Sequence, residues 1–225
     1  MTVTVRTENL WKTYGGGGPH QVDAVRDVTI EIERGEITAI GGPSGSGKTT
    51  LLSLVGLLTR PTKGKVLYGD QDFSGLSEVF RTRARRQRIG FIFQAQYLIP
   101  QLTAVENVAL PMLCLDVPRS EAEKLAAIRL SSLGMNHRLD FRVAELSGGE
   151  QQRVSIARSL MNAPEILIAD EPNASIDEKS AEELHFVLRE MVERNKLTVL
   201  LASHDAQVLN WADRRLNMRD GKIVD

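Results

Sequence analysis

One eight-residue stretch limits this chain more than any other. Gly42-Pro43-Ser44-Gly45-Ser46-Gly47-Lys48-Thr49 fits the pattern G-x-x-x-x-G-K-[ST] without a gap. The glycines let the backbone curl until successive N–H groups point at phosphate oxygens. Ile37 to Ile40 is a short apolar strand running into the loop, and Lys48 to Leu58 reads as the helix leaving it. The positive N-terminal end of that helix points at the same place. Lys48 then neutralises the β- and γ-phosphates, the Thr49 hydroxyl ligates Mg²⁺, and Thr50 joins the nucleotide contacts. Alone, the loop does not separate a kinase, a GTPase and an ATPase.

The rest of the chain supplies the setting such a loop needs. Val3, Val5 and then Val22 to Ile32 read as strands, broken by a loop from Gly15 to Gly18 with Pro19 after it. Ile89 to Phe93, Ile166 to Ala169 and Thr198 to Ala202 are further short apolar strands. From Gln94 to Pro164 the pattern is helical, most clearly over Ser120 to Leu133. Leu184, Val187, Leu188 and Met191 later form one apolar helix face. Apolar strands alternating with helices predict a parallel sheet covered on both sides. At 225 residues the chain suits a single domain with a closely packed subdomain.

Charge and composition exclude several functions. A formal net charge of −1, with 42% apolar and 25% charged residues, argues against broad attraction to nucleic acid or anionic lipid. The basic run Arg81, Arg83, Arg85, Arg86 and Arg88 reads as a solvated helix face. Cys114 stands alone, so neither a disulfide nor cysteine-based zinc ligation is expected. No secretory leader pattern and no apolar run of ~18 residues is present, so the chain is expected to be cytoplasmic, with membrane contact only through a partner.

Ile166-Leu167-Ile168-Ala169-Asp170-Glu171 is an apolar strand ending in paired carboxylates. Neighbouring strand residues point opposite ways, so the two acids can divide the work. Asp170 can hold the Mg²⁺ shell while Glu171 reaches the γ-phosphate and its attacking water. Leu146-Ser147-Gly148-Gly149-Glu150-Gln151-Gln152-Arg153 is a second phosphate-binding device, with the Ser147 hydroxyl and Gly149 N–H at a helix start. The first loop already wraps the γ-phosphate. Head-to-tail pairing of two copies, each closing over the nucleotide of the other, lets both devices be used.

On these residues the whole chain resembles the ATP-binding cassette (ABC) ATPases, LSGGEQQR being their signature. The resemblance implies an α/β fold: a P-loop NTPase (RecA-like) core with parallel sheet, an N-terminal antiparallel β subdomain and an inserted α-helical subdomain. The core is expected over 1–94 and 164–225 and the helical part over about 95–163. The resemblance also implies roles for Tyr14 stacking on adenine, Gln94 in FIFQ linking Mg²⁺ to a membrane partner, and His204 in ASHD contacting the γ-phosphate. Ala174-Ser175-Ile176-Asp177 matches the loop crossing the dimer interface, with Asn173 where Thr or Ser is usual and Ile176 where Leu is common. Full catalytic competence is still expected.

The stretch FIFQAQYLIPQLTAVENVALPM resembles the subgroup powering lipoprotein release, macrolide efflux and cell division, which transmits force to a periplasmic partner. Gln96, Tyr97, Leu98, Ile99 and Leu102 would then form the groove for that partner's coupling helix. Amino-acid importer ATPases share most of these motifs and remain the rival. Soluble cassettes acting on DNA carry a long coiled coil that the short Lys48–Ser147 separation does not accommodate. Ribosome-acting ones carry two cassettes per chain. The 225 residues also leave no room for the regulatory domain attached to sugar importers. The cargo is not written in a motor subunit.

Overall fold

The structure, a computed structural model, describes residues 3–16, 18, 20–174 and 176–224. Gly17 and Pro19 of the expected glycine loop, and Ser175 of the expected interface loop, lie outside the described residues. The chain opens with β1 (Val3–Tyr14), β2 (Val22–Val28), β3 (Glu31–Glu33), β4 (Ile37–Gly41) and α1 (Lys48–Val55). Next come β5 (Lys63–Tyr68), β6 (Gln71–Asp72), α2 (Glu78–Arg88) and β7 (Ile89–Ile92). Three helices follow, α3 (Ala104–Leu113), α4 (Arg119–Ser131) and α5 (Gly148–Ser159). The chain closes through β8 (Ile166–Asp170), α6 (Glu178–Asn195), β9 (Thr198–Ala202), α7 (Ala206–Trp211), β10 (Arg214–Arg219) and β11 (Lys222–Val224).

Two sheets result. One is antiparallel in the order β2-β1-β5-β6, with β3 also on β1. The other runs β11-β10-β4-β9-β8-β7 and is parallel except for β11. Every residue of β4 and β9 is buried, as expected of strands covered on both faces. Alternation then sorts the side chains. Ile40, Ile166, Ile168, Leu200 and Ala202 pack with α1 and the antiparallel sheet. Ile37, Ala39, Leu167, Ala169, Val199 and Leu201 pack with α3, α4, α5 and α6. This is the expected parallel core, with an antiparallel β layer and a helical segment between β7 and β8.

The strands read over Val22 to Ile32 are β2 and β3, with Thr29 and Ile30 between them. Two expectations need correction. The first helix ends at Val55 rather than Leu58, since Leu57 leaves it with φ 58°. The arginine run is only partly solvated: Arg83 and Arg86 are exposed, but Arg81 is buried. Both Arg81 and Arg85 donate to the Leu57 carbonyl, Arg85 at 2.6 Å, and both pair with Glu78. Cationic donors thus satisfy the Leu57 carbonyl just past the C-terminal end of α1, where the helix dipole favours positive charge. Arg85 beside Glu78 also holds that carboxyl below its usual range.

Tyr68 secures the same helix end. Its ring is buried and its hydroxyl donates to the Val55 carbonyl at 2.7 Å. Burial pushes that phenol far above its usual pKa, so it is always a donor. Tyr68→Phe leaves the carbonyl unpaired and is expected to cost about 1–3 kcal/mol. The urea midpoint should fall accordingly, and an unchanged midpoint would show that the bond contributes nothing.

Candidate nucleotide site

The phosphate loop joins the end of β4 to the start of α1. Gly47, the helix N-cap, has φ 105°, and a Cβ there would lie 2.2 Å from the Ala24 carbonyl oxygen. Only glycine fits that turn. Lys48 is buried and folds its Nζ back onto the loop, 2.7 Å from the Gly42 oxygen and 3.1 Å from the Pro43 oxygen. Ser46 is buried beside it, and its Oγ has no hydrogen-bond partner. A cradle holding an unspent hydroxyl and a buried ammonium fits an anionic ligand.

Around the loop lies a cavity of about 680 Å³. Ser44, Gly45, Ser46, Gly47, Lys48, Thr49 and Thr50 line one side, with Gln94, Asp170, Glu171 and His204 opposite. Residues from four separate strand ends therefore meet, as the motif order suggests. Gly42 and Pro43 stand behind the loop and touch the site through Lys48.

Asp170 ends β8. Burial pushes its carboxyl up, while a hydrogen bond from Thr49 and the charge of Lys48 pull it back and Glu171 adds repulsion. Glu171 follows in a left-handed conformation, φ 48°, unusual for a side-chain-bearing residue and costly unless its surroundings hold it. They do so from β9: Glu171 N–H donates to the Ala202 carbonyl at 3.0 Å and the Ser203 hydroxyl reaches its carboxylate at 3.3 Å. His204 Nδ1 lies 2.9 Å from Glu171 Oε1. The two groups expected to act on water and on the γ-phosphate are thus hydrogen-bonded to each other.

The Thr49 hydroxyl, Asp170 carboxylate and Gln94 amide oxygen are hard donors of the kind Mg²⁺ takes. Among the described residues no group of three or more His, Cys, Asp or Glu is placed to hold a metal alone. The Thr49, Asp170 and Gln94 oxygens leave the rest of an octahedral shell to be completed by waters or phosphate oxygens.

Three expected contacts lie outside the cavity. Tyr14 is exposed at the end of β1, with Lys12 Nζ 5.0 Å from its ring centre, although its cross-strand partner Val22 does line the cavity. Exposed Ser147 caps α5: its hydroxyl accepts from Glu150 N–H at 3.3 Å, and Glu150 Oε2 accepts from Ser147 N–H at 2.8 Å. Gly149 borders a separate groove against α6, where a Cβ would lie 2.7 Å from Ser180 Oγ.

Some lining residues were not anticipated. Val22 to Ala24 and Arg26 approach from β2, and Asp220 and Gly221 from the turn between β10 and β11. Gly221 N–H donates to the Ser46 carbonyl at 2.9 Å and its own oxygen accepts from Arg26 N–H at 2.7 Å. They carry no local pattern, and only the sheet topology brings them here.

The ABC transporter family model matches residues 25–174. The chain belongs to the ABC transporter family. Its activity is that of an ABC ATPase, ATP hydrolysis coupled to transport. Over 223 residues this cassette is 40% identical to the lipoprotein-releasing system ATP-binding protein LolD of Ruegeria sp. (strain TM1040), covering 99% of this chain and 98% of that one. It is 38% identical to the LolD of Geobacter metallireducens over 100% of this chain and 99% of that one. Among solved structures, a dimeric ATP-binding cassette in a post-hydrolysis state, bound to ADP and Pi, has a TM-score of 0.90 at 36% identity, covering 98% and 97% of the two chains. CbiO1 of Clostridium perfringens, part of the ABC transporter complex cbiONQ, has a TM-score of 0.89 at 28% identity, covering 100% and 88%. The cassette thus sits with the lipoprotein-release subgroup.

The departure at Asn173 has a partner of its own. Its Nδ2 lies 3.0 Å from His185 Nε2, and the imidazole stacks on Trp211 with ring centres 4.4 Å apart. Burial lowers the His185 pKa below the usual 6.5, with Asp205 and Glu182 opposing in part. Folding therefore favours the neutral ring, so this stabilisation is complete above the unfolded pKa and lost as pH falls through it. His185→Gln is expected to lose less thermal stability than the parent chain between about pH 7.5 and pH 5. Parallel losses would remove His185 as an acid-sensitive group.

Proposed function

We propose that this cassette is the ATP-hydrolysing subunit of a lipoprotein-release type complex, working as a homodimer that sandwiches two ATP molecules. The observation carrying this reading is the separation of Ser147 and Gly149 from the cavity that gathers Ser44 to Thr50, Gln94, Asp170, Glu171 and His204. A second copy placed head to tail would bring its Ser147 and Gly149 onto this ATP. The dimeric state of the similar post-hydrolysis cassette supports the same arrangement.

Each site would combine Gly42, Pro43, Ser44, Gly45, Ser46, Gly47, Lys48, Thr49, Thr50, Gln94, Asp170, Glu171 and His204 of one copy with the signature of the other, Tyr14 carrying the adenine. Hydrolysis needs positioning and charge neutralisation more than covalent chemistry. Loop N–H groups and Lys48 hold the β- and γ-phosphates. Glu171 accepts a hydrogen bond from the water and takes its proton as the oxygen attacks the γ-phosphorus and the bond to the β–γ bridging oxygen breaks, ADP leaving with that oxygen, while His204 fixes the γ-phosphate. Mg²⁺, held by Thr49, Asp170 and Gln94, would neutralise charge shared between the phosphates. Loss of the γ-phosphate removes the link between copies, and their opening would move the membrane subunit.

The chain is read as one domain, with the nucleotide core over 1–94 and 164–225 and the helical part over 95–163. Among the described residues no helix is long and apolar enough to cross a membrane. By its likeness to the LolD proteins we place it in the cytoplasm, on the inner face of the cell membrane through an integral partner, with no nucleic acid involved. Tyr97 and Ile99 are exposed beside Gln94, whereas Leu98 packs into the helical core. An adjacent concavity of about 370 Å³ includes Leu58, Phe91, Phe93, Pro111 and Arg158. That surface, rather than the five residues read from sequence alone, would receive the partner's coupling helix.

Glu171→Gln is expected to bind ATP, hydrolyse at least about a hundredfold more slowly and run as a dimer on a sizing column with ATP and Mg²⁺. A folded, ATP-bound monomer would sink the sandwich. Lys48→Ala should lose nucleotide binding altogether, measured by calorimetry.

A further inference from the structure

One buried polar side chain of the signature helix has no part in the mechanism above. Gln152, on α5, is 4% exposed. Its amide is spent at both ends: Nε2 donates to the Pro172 carbonyl at 3.0 Å, and Oε1 accepts from Gln96 Nε2 at 3.1 Å. Pro172 directly follows Glu171, and Gln96 lies two residues beyond Gln94. Further along α5, Arg158 donates to the carbonyls of Tyr97 at 2.7 Å and Gln96 at 2.5 Å. The signature helix thus grips the backbone after Gln94 and, through one glutamine, the backbone after Glu171.

An amide buried in such a place must be paired or it destabilises the fold, and an apolar residue would fill the volume without that demand. The polarity is therefore spent on joining two segments. A left-handed backbone at Glu171 persists where its surroundings hold it. The Ala202 carbonyl holds its N–H, Ser203 its carboxylate and the Ala174 N–H its carbonyl at 3.1 Å, and Gln152 is the side chain that holds the next carbonyl, at Pro172. Neither Gln96 nor Gln152 lines the nucleotide cavity.

We infer that Gln152 is a positioning residue for hydrolysis: from the helix that carries Ser147 and Gly149, it ties the segment leaving Glu171 to the segment following Gln94. The inference rests on reading Glu171 as the group that polarises water. Because one amide serves both segments, and Arg158 of the concavity proposed for the membrane partner holds the Gln96 carbonyl, displacement of Gln96 from that side is felt at Pro172. A shift of about 1 Å in a water-orienting group is enough to lower turnover by one to two orders of magnitude.

Steady-state ATPase assays on the full chain test this. Gln152→Met keeps the length and packing but offers neither bond. It is expected to lower kcat about tenfold while leaving the KM for ATP within about twofold. Gln96→Ala removes only the outer bond and is expected to lower kcat about threefold, again at constant KM. The double variant should match Gln152→Met alone, since both act through one amide. A folded Gln152→Met with parental kcat, a kcat and KM that worsen together, or additive losses would each overturn the role. If Gln152→Met does not fold, Gln96→Ala decides alone, and an unchanged kcat there rejects the relay. Glu171→Gln, assayed alongside, separates the two readings. Hydrolysis surviving in that variant removes the assignment of Glu171, whereas an inactive Glu171→Gln beside an unaffected Gln152→Met removes only Gln152.

Discussion

Burial of β8 and β9 on both faces is the constraint from which the site follows. A strand with α1 and the antiparallel sheet on one side and helices on the other has no room for a charge along its length. Ionisable groups can appear only where the strand runs out, and there Asp170, Glu171 and His204 stand. The carboxyl ends of parallel strands open on one edge of the sheet, so β4, β7, β8 and β9 deliver the phosphate loop, Gln94, the acids and the histidine to one crevice. The chemistry is a consequence of what the core excludes.

Strands β4, β8 and β9 were readable because burial on both faces writes an uninterrupted apolar run. The phosphate loop was readable because its requirement is local: Gly47 must be glycine beside the Ala24 carbonyl whatever surrounds it. The Arg81 contact was not, since an arginine that reaches inward to Leu57 looks in sequence like one that reaches outward. The cavity walls at Val22 to Arg26 and Asp220 to Gly221 were equally hidden, because strand pairing over long separations brings them in. Tyr14 lies between the two cases. Its strand position was foreseeable, but its exposure beside Lys12 is a property of the folded edge.

Sequence motifs also overstate how single-purpose their residues are. Ser147 caps its own helix through a reciprocal pair with Glu150, and Gly149 makes room for Ser180. Both roles are structural and internal to this chain, so replacing either residue perturbs the start of α5 before any second copy arrives. An activity loss from such a replacement does not by itself identify a phosphate contact.

The residues that follow on α5 have separate duties. Glu150 is committed to the cap, with its carboxyl held below the usual range mainly by the Ser147 backbone hydrogen bond and further by Arg138. Gln151 donates back to the Val143 and Leu146 carbonyls and so only secures the approach to the helix. Gln152 reaches out of the helical segment to the core at Pro172, while its neighbour Arg153 pairs with Glu183 of α6. If the first turn of α5 is drawn toward a neighbouring nucleotide, the cap moves as a unit with it, and Gln152 is the side chain through which that motion meets the strained backbone after Glu171. Under the proposed homodimer, closure between copies and alignment of the Glu171 carboxylate would then be one mechanical event.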